Sequence, residues 1–330
     1  MQFGLFGGAR TKRGVGFEDS QGYDSFIEYV IEADRLGFRQ LFMVEHHFTG
    51  HGQVSASMTV LSYLAARTRH IRLGTAVVVV PWHNPVLVAE QVATLDLLSG
   101  GRVDFGVGKG YRQAEFDGFC IPIAEATERF DEAMEIIRKA WTRNGRFSHH
   151  GKRWHYDNIV VEPEPLQRPH PPLWLAAGSQ DSVRRAAREG YNLLLDQLAQ
   201  VDQIIQRIAI FREECQRIGR AYDPNMVATS RALQLIHTES ERDQAYETRK
   251  RVVTMIGDLA RDKLADRVEE DTAPLLGTPD EVIARLKQLE AGGATNILLV
   301  DPNASVGNLR AFAREVMPAF RPARAVAAAE

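Results

Sequence analysis

The residues best suited to chemistry stand together between Gln40 and Thr49, QLFMVEHHFT. An apolar run, Leu41 to Val44, ends in Glu45, His46 and His47, so three ionisable side chains gather where a strand of buried composition stops. Side chains alternate along a strand. If the extended chain runs on to His47, Val44 and His46 share one face while Glu45 and His47 share the other. Such a group at a strand end has the form of an active site, with His46 facing its mouth. The histidine pair also invites a metal, because hydrolases built on strand-and-helix barrels bind zinc through histidines and an aspartate at strand ends. Neighbouring histidines on a strand point apart, however, and the later strand ends offer only Asp196 and Asp301 as further ligands.

Two further stretches suit an anion. Gly108 and Gly110 let backbone approach a phosphate while Lys109 supplies charge. Gly178-Ser179-Gln180-Asp181-Ser182 opens a helix whose first amides can hold the same group. Taken singly, each is as well explained as an ordinary tight turn or cap.

The elements that position these groups alternate along the chain. Strands are expected at Gln2 to Phe6, in the QLFMVEHHFT stretch, and at Ile71 to Val80, a β-branched run read as one buried strand. Five more are expected at Val103 to Val107, Leu173 to Ala177, Asn192 to Leu195, Val227 to Ile236 and Asn296 to Val300. Helical spacing lies between them, at about Tyr23 to Leu36, Ser57 to Arg67, Val86 to Leu98, Ala124 to Thr142, Val183 to Arg188 and Val201 to Ile218. It continues over Glu239 to Asp271, over Pro279 to Glu290, where Thr278 caps and Pro279 opens the helix, and over Gly307 to Met317. Gly145 to Pro172 breaks this rhythm with Pro, His and aromatics and a hairpin-like pattern in Arg153 to Val161, and is read as an insertion. Eight strands each followed by a helix is the count of a (β/α)8 barrel. An open doubly wound sheet would want a G-x-G-x-x-G turn after its first strand, and FGLFGGAR lacks one. The expected organisation is one barrel domain over residues 1–320, with a lid-like insertion around 145–172 and a frayed tail over 321–330.

A formal net charge of -3 on 330 residues, 44% of them hydrophobic and 25% charged without a basic block, makes nucleic acid and acidic membranes poor partners. The N-terminal stretch lacks the long apolar core of a signal peptide, and no apolar run reaches membrane-spanning length. Cys120 and Cys215 alone give no disulfide framework. The expectation is a cytoplasmic protein.

The run from Leu41 to Phe119, with VEHHFT, LGTAVVVVPWHNPVLVAEQVATLDLLSGGRVDFGVGKGY and AEFDGF, resembles the bacterial luciferase-like monooxygenases. The later GSQDS and GTPDEV segments extend the resemblance over nearly the whole chain. Such enzymes are (β/α)8 barrels that bind reduced FMN, supplied by a separate flavin reductase, and react it with dioxygen to a C4a-hydroperoxide that oxidises an organic substrate. The resemblance implies that His46 is the catalytic histidine and Glu45 its supporting neighbour. It places a non-proline cis peptide at Ala76-Val77, beneath the flavin ring, and gives Lys109, where the family carries arginine, and Ser179 as phosphate-binding residues. Gly108 stands where luciferase has a cysteine near the flavin, so light emission is not implied. A homodimer through early barrel helices is implied in the same way, as is a small substrate such as an aldehyde or ketone. Alternatives are deazaflavin-dependent hydride transfer, metal-dependent hydrolysis on the same barrel, and non-catalytic flavin binding.

Overall fold

The computed structural model describes residues 1–11, 18–50, 52–260 and 273–321. Among them eight parallel strands close into a barrel: β1 (Gln2–Gly7), β2 (Gln40–Met43), β3 (Arg72–Thr75), β4 (Val103–Gly108), β5 (Leu173–Ala176), β6 (Asn192–Leu195), β7 (Val227–Leu235) and β8 (Asn296–Val300). Each pairs with the next, and β8 returns to β1 with Ile297 opposite Phe3. Around them lie α1 (Glu18–Leu36), α2 (Ser57–Arg67), α3 (Pro85–Leu98), the short α4 (Gln113–Gly118), α5 (Ala126–Thr142), α6 (Gln180–Arg188), α7 (Val201–Arg217), α8 (Glu239–Ala260), α9 (Pro279–Ala291) and α10 (Val306–Glu315). The rest of the helix expected to Asp271, and the tail beyond Arg321, fall outside the described residues. No described helix is long and apolar enough to cross a membrane.

Strand alternation sorts the side chains into two cores. Leu5, Leu41, Leu73, Phe105, Leu175, Leu193 and Leu299 point outward and are buried under the helices. The inward residues form a smaller core of Phe42, Trp174, Leu194, Ala228 and Leu298, against which Phe6, Ala76 and Val77 pack. Phe42 meets Trp174 edge to face at 5.1 Å; burying one such ring is worth roughly 1.5–3 kcal/mol. Below this apolar layer the foot of the barrel is polar. Arg72 grips Asp104 through Nε (2.8 Å) and Nη2 (3.0 Å), Trp174 Nε1 donates to the same carboxylate, and Gln40 Nε2 donates to Asn296 Oδ1 at 2.6 Å.

One expectation is corrected, and another gains detail. The run from Ile71 to Val80 is not one strand: β3 stops at Thr75, the Ala76-Val77 peptide is cis, and Val78–Val79 resumes pairing with β4. Between the Gly74↔Asp104 and Val78↔Val107 pairs β3 carries one extra residue, a bulge, and the Thr75 hydroxyl bridges the gap by bonding both N and O of Gly106. The insertion, in turn, begins and ends at the foot of the barrel, while the tip of its hairpin reaches the first turn of α5 and the start of α3, where the Tyr156 hydroxyl donates to Asn84 Oδ1 at 3.2 Å. It leaves α5 and enters β5, a helix-to-strand connection at the end of the barrel opposite the strand-to-helix loops. Its hairpin, Phe147–His150 with His155–Ile159, starts earlier than the expected Arg153 and lies along α5, where His149 meets Glu132 and Lys152 and Arg153 pair with Glu128 and Glu125. Farther on, Gln167 donates to Asp96 and to Val103 O, fastening the segment to the barrel's foot.

Candidate active site

Strand β2 ends at Met43, yet the chain stays extended for three more residues. Val44 N donates to Gly7 O and His46 N to Val54 O, while Val54 N donates to Ala9 O. Gly8 permits this close layering, since a Cβ there would lie 2.6 Å from Val54 Cγ1. The alternation expected from the sequence therefore persists, and Glu45 and His47 come together on one side while His46 turns to the other.

His46 Nδ1 lies 3.3 Å from Glu115 Oε1, and the same oxygen accepts the backbone N–H of His47 at 3.0 Å. Glu115 belongs to α4, in the loop after β4, and is buried. Burial alone would raise its carboxyl, but the hydrogen bonds from His46 and the His47 backbone, with the Arg112 charge, outweigh that and hold it below the ordinary carboxylate range. An ionised carboxylate only accepts, so His46 Nδ1 carries the proton and Nε2 is the nitrogen free to gain or lose one.

Glu45 serves a separate group. Its Oε1 accepts from His47 Nε2 at 3.3 Å and His83 Nε2 at 3.0 Å, and its Oε2 from Ser57 Oγ at 3.3 Å. Burial again opposes ionisation, and the hydrogen bonds from the two histidines again outweigh it, keeping Glu45 below the ordinary range. The His47 ring then stands in an aromatic wall with Trp82, Phe119 and Phe48. The two neighbouring histidines thus go to different carboxylates, and Asp196 is taken by Arg207 at 2.9 Å. Among the described residues no three His, Cys, Asp or Glu side chains form a metal-sized cluster.

Ala76 and Val77 sit on the inner apolar core, and Gly108 lies directly against them: a Cβ at 108 would fall 2.6 Å from Val77 Cγ2. The two anion loops stand at the ends of paired strands, β4 and β5. Lys109 Nζ donates to Thr127 Oγ1, at the first turn of α5, and Ser179 caps α6, accepting from Ser182 N while its hydroxyl donates to Ser182 Oγ.

The sequence reading singled out neither Glu115 nor His83. Glu115 lies 69 positions from His46 in a six-residue helix too short to show periodicity, and His83 passed as part of a strand-ending PWHNP. A carboxylate just past a glycine-rich strand end was the one available signal.

The family description "luciferase-like monooxygenase" matches residues 1–296. The oxygenase component of a flavin-dependent trigonelline monooxygenase from Acinetobacter baylyi is 27% identical over 326 residues, 90% of this chain and 90% of that one. An uncharacterised protein of Sinorhizobium fredii is 36% identical over 172 residues, 52% of this chain and 49% of that one, so the match spans about half that relative's length. Among solved structures, the monooxygenase RslO1 of Streptomyces bottropensis superposes with a TM-score of 0.86 at 26% identity, covering 97% of this chain and 100% of that one. The chain belongs to the luciferase-like monooxygenase family.

Proposed function

We propose that the protein is the oxygenase of a two-component system, taking reduced FMN from a separate reductase and using dioxygen to oxidise a small organic molecule. The observation that carries this reading is His46, held by an ionised Glu115 at the strand ends, above an apolar floor and on the same rim as two anion loops. A relative named as an oxygenase component supports the separate reductase.

The residues present fit FMN. Gly108 leaves the surface beside Ala76 and Val77 free of a side chain, and the donors of Lys109, Ser179, Ser182 and the start of α6 suit a phosphate monoester. Ala76, Val77 and Gly108 would hold the ring system, and Lys109, Ser179 and Ser182 the phosphate. Reduced FMN supplies the electrons with which dioxygen is activated. His46 then holds or moves a proton at Nε2, fixed in tautomer and orientation by Glu115. Glu45 keeps the aromatic wall in place through His47 and His83, and that wall with Phe6 and Phe42 keeps water from the reacting groups.

We further propose a homodimer built on α2 and α3. Helix α3 is apolar on nearly all sides, a composition suited to burial, yet Leu87 and Leu98 are 55% and 64% exposed, and Tyr63 on the adjoining α2 is exposed as well.

The test is anaerobic mixing with photoreduced FMN, followed by oxygen and time-resolved absorbance, in wild type and His46→Ala. Wild type is expected to delay the return of oxidised-flavin absorbance relative to free FMN, and His46→Ala to shorten that delay. Failure of wild type to bind reduced FMN sinks the reading; binding of a deazaflavin in its place would move the protein to hydride transfer.

A further inference from the structure

Arg112 stands four residues past the end of β4 and next to α4, in contact with the carboxylate that holds His46. Its side chain is 9% exposed, and its Nη1 is 3.9 Å from Glu115 Oε1. That is within reach of charge attraction but beyond a hydrogen bond, because the oxygen is already taken by His46 Nδ1 and the His47 backbone. Among the described residues, the only hydrogen bond Arg112 makes through its side chain runs from Nε to the Tyr111 phenol oxygen at 3.2 Å. Nη1 is buried without an acceptor.

Buried N–H groups without acceptors are rare in folded proteins. One other, Arg153 Nε, has a charged neighbour, lying 3.3 Å from Glu128 Oε1. A second one lies in the loop after β3, since Trp82 Nε1 also lacks an acceptor among the described residues, and its ring lies 5.4 Å from that of Phe116, the residue after Glu115. The loops after β3 and β4 thus each carry a buried donor without an acceptor among the described residues, and the one on Arg112 is charged. The free edge of a guanidinium, Nη1 with Nη2, matches the two oxygens of a carboxylate. The rings of Trp82, Phe116 and Phe119, packed together in the same loops, suit an apolar body attached to it.

We propose that Arg112 is the specificity-determining residue for the organic substrate, and that this substrate carries a carboxylate on an apolar ring or chain. This deepens the proposed function and rests on it, narrowing the expected class from neutral aldehydes and ketones to organic acids. The Tyr111 ring, 61% exposed with Arg112 Cζ 5.5 Å from its centroid, steadies the cation from the solvent side.

The experiment is calorimetric titration of the flavin-free and FMN-loaded protein with acetate, octanoate and benzoate, beside the neutral octanol and benzyl alcohol. Wild type, Arg112→Gln and Arg112→Lys are compared after thermal melts show that each is folded. At least one carboxylate is expected to bind wild type, to weaken about tenfold or more in Arg112→Gln, as loss of a charged hydrogen bond implies, and to recover part of that in Arg112→Lys. The neutral probes should be indifferent to the substitution. Absence of carboxylate binding in wild type, equal binding in Arg112→Gln, or loss of FMN affinity instead of carboxylate affinity overturns the assignment. FMN affinity is titrated separately in wild type, so failure of the flavin reading registers there and failure of the Arg112 reading in the carboxylate series.

Discussion

Two buried glutamates hold histidines on opposite sides of the same strand end, and their surroundings give them different work. Glu115 binds one ring, His46, which keeps 19% of its side chain exposed at the mouth. Glu45 binds two rings and a serine hydroxyl, and one of those rings, His47, stands in an aromatic wall. Both carboxylates are held ionised by hydrogen bonds that outweigh burial. The difference lies in the surroundings: each ring spends one nitrogen on its carboxylate, but His46 has Glu115 as its own partner, whereas His47 shares Glu45 with His83 and stands among the rings of Trp82, Phe119 and Phe48. On the proposed function, a carboxylate–histidine pair would be a reactive device on one side and a fastening on the other.

The strongest test of that contrast is His46→Ala, expected to lower turnover by about 10²–10⁴-fold, as for a lost acid–base group, while FMN affinity stays near wild type. Steady-state kinetics with a flavin reductase, beside fluorescence titration of FMN, would show it. Next comes Glu115→Ala, which leaves His46 Nδ1 unpaired; a cost of about 1–2.5 kcal/mol slows kcat by about 5–70-fold and displaces the pH profile of kcat. Glu45→Ala strands three donors and should cost stability, on the order of 2 kcal/mol by urea unfolding, with a smaller change in kcat than Glu115→Ala. Should Glu45→Ala prove the more damaging to kcat, the two roles are reversed and the contrast is broken.

The acid limb of stability sharpens it further. Both glutamates have folded values below their unfolded one, so each contributes stability that is complete above about pH 4.3 and is lost as pH falls through the folded value. Unfolding midpoints between about pH 5 and pH 3 should fall steeply in wild type and less steeply in Glu45→Gln. The smallest effect expected is at Lys109: Lys109→Arg should tighten FMN about threefold, because a planar fork meets a phosphate better than a point charge, whereas Lys109→Ala should weaken it about tenfold.

Much of the barrel was legible from the chain because its strands are buried on both faces and its helices keep their apolar spacing; Asn192–Leu195 and Asn296–Val300 fall at the expected residues. The bulge at Thr75 was not, since IRLGTAVVVV carries no break in β-branched composition and the interruption depends on a hydroxyl meeting the backbone of another strand. At the site, His46 and Glu45 announced themselves by standing together, Gly108, Lys109 and Ser179 showed as turns suited to an anion that the resemblance made specific, and Ala76 and Val77 came from resemblance alone. Glu115 and Arg112 stayed hidden because their meaning comes from distance in space: one holds a residue 69 positions away, and the other matters for an acceptor it does not have.

The polar foot of the barrel has a consequence for traffic. With Arg72, Asp104, Gln40 and Asn296 knitted together beneath the apolar layer, and Gln167 bolted across from Asp96 to Val103, the interior is a blind well. On the proposed function, flavin and substrate would then both enter at the strand ends, and the large molecule that entered last would stand in the path of the one that entered first. Turnover would then be a queue, in which the order of departure is written by the order of arrival.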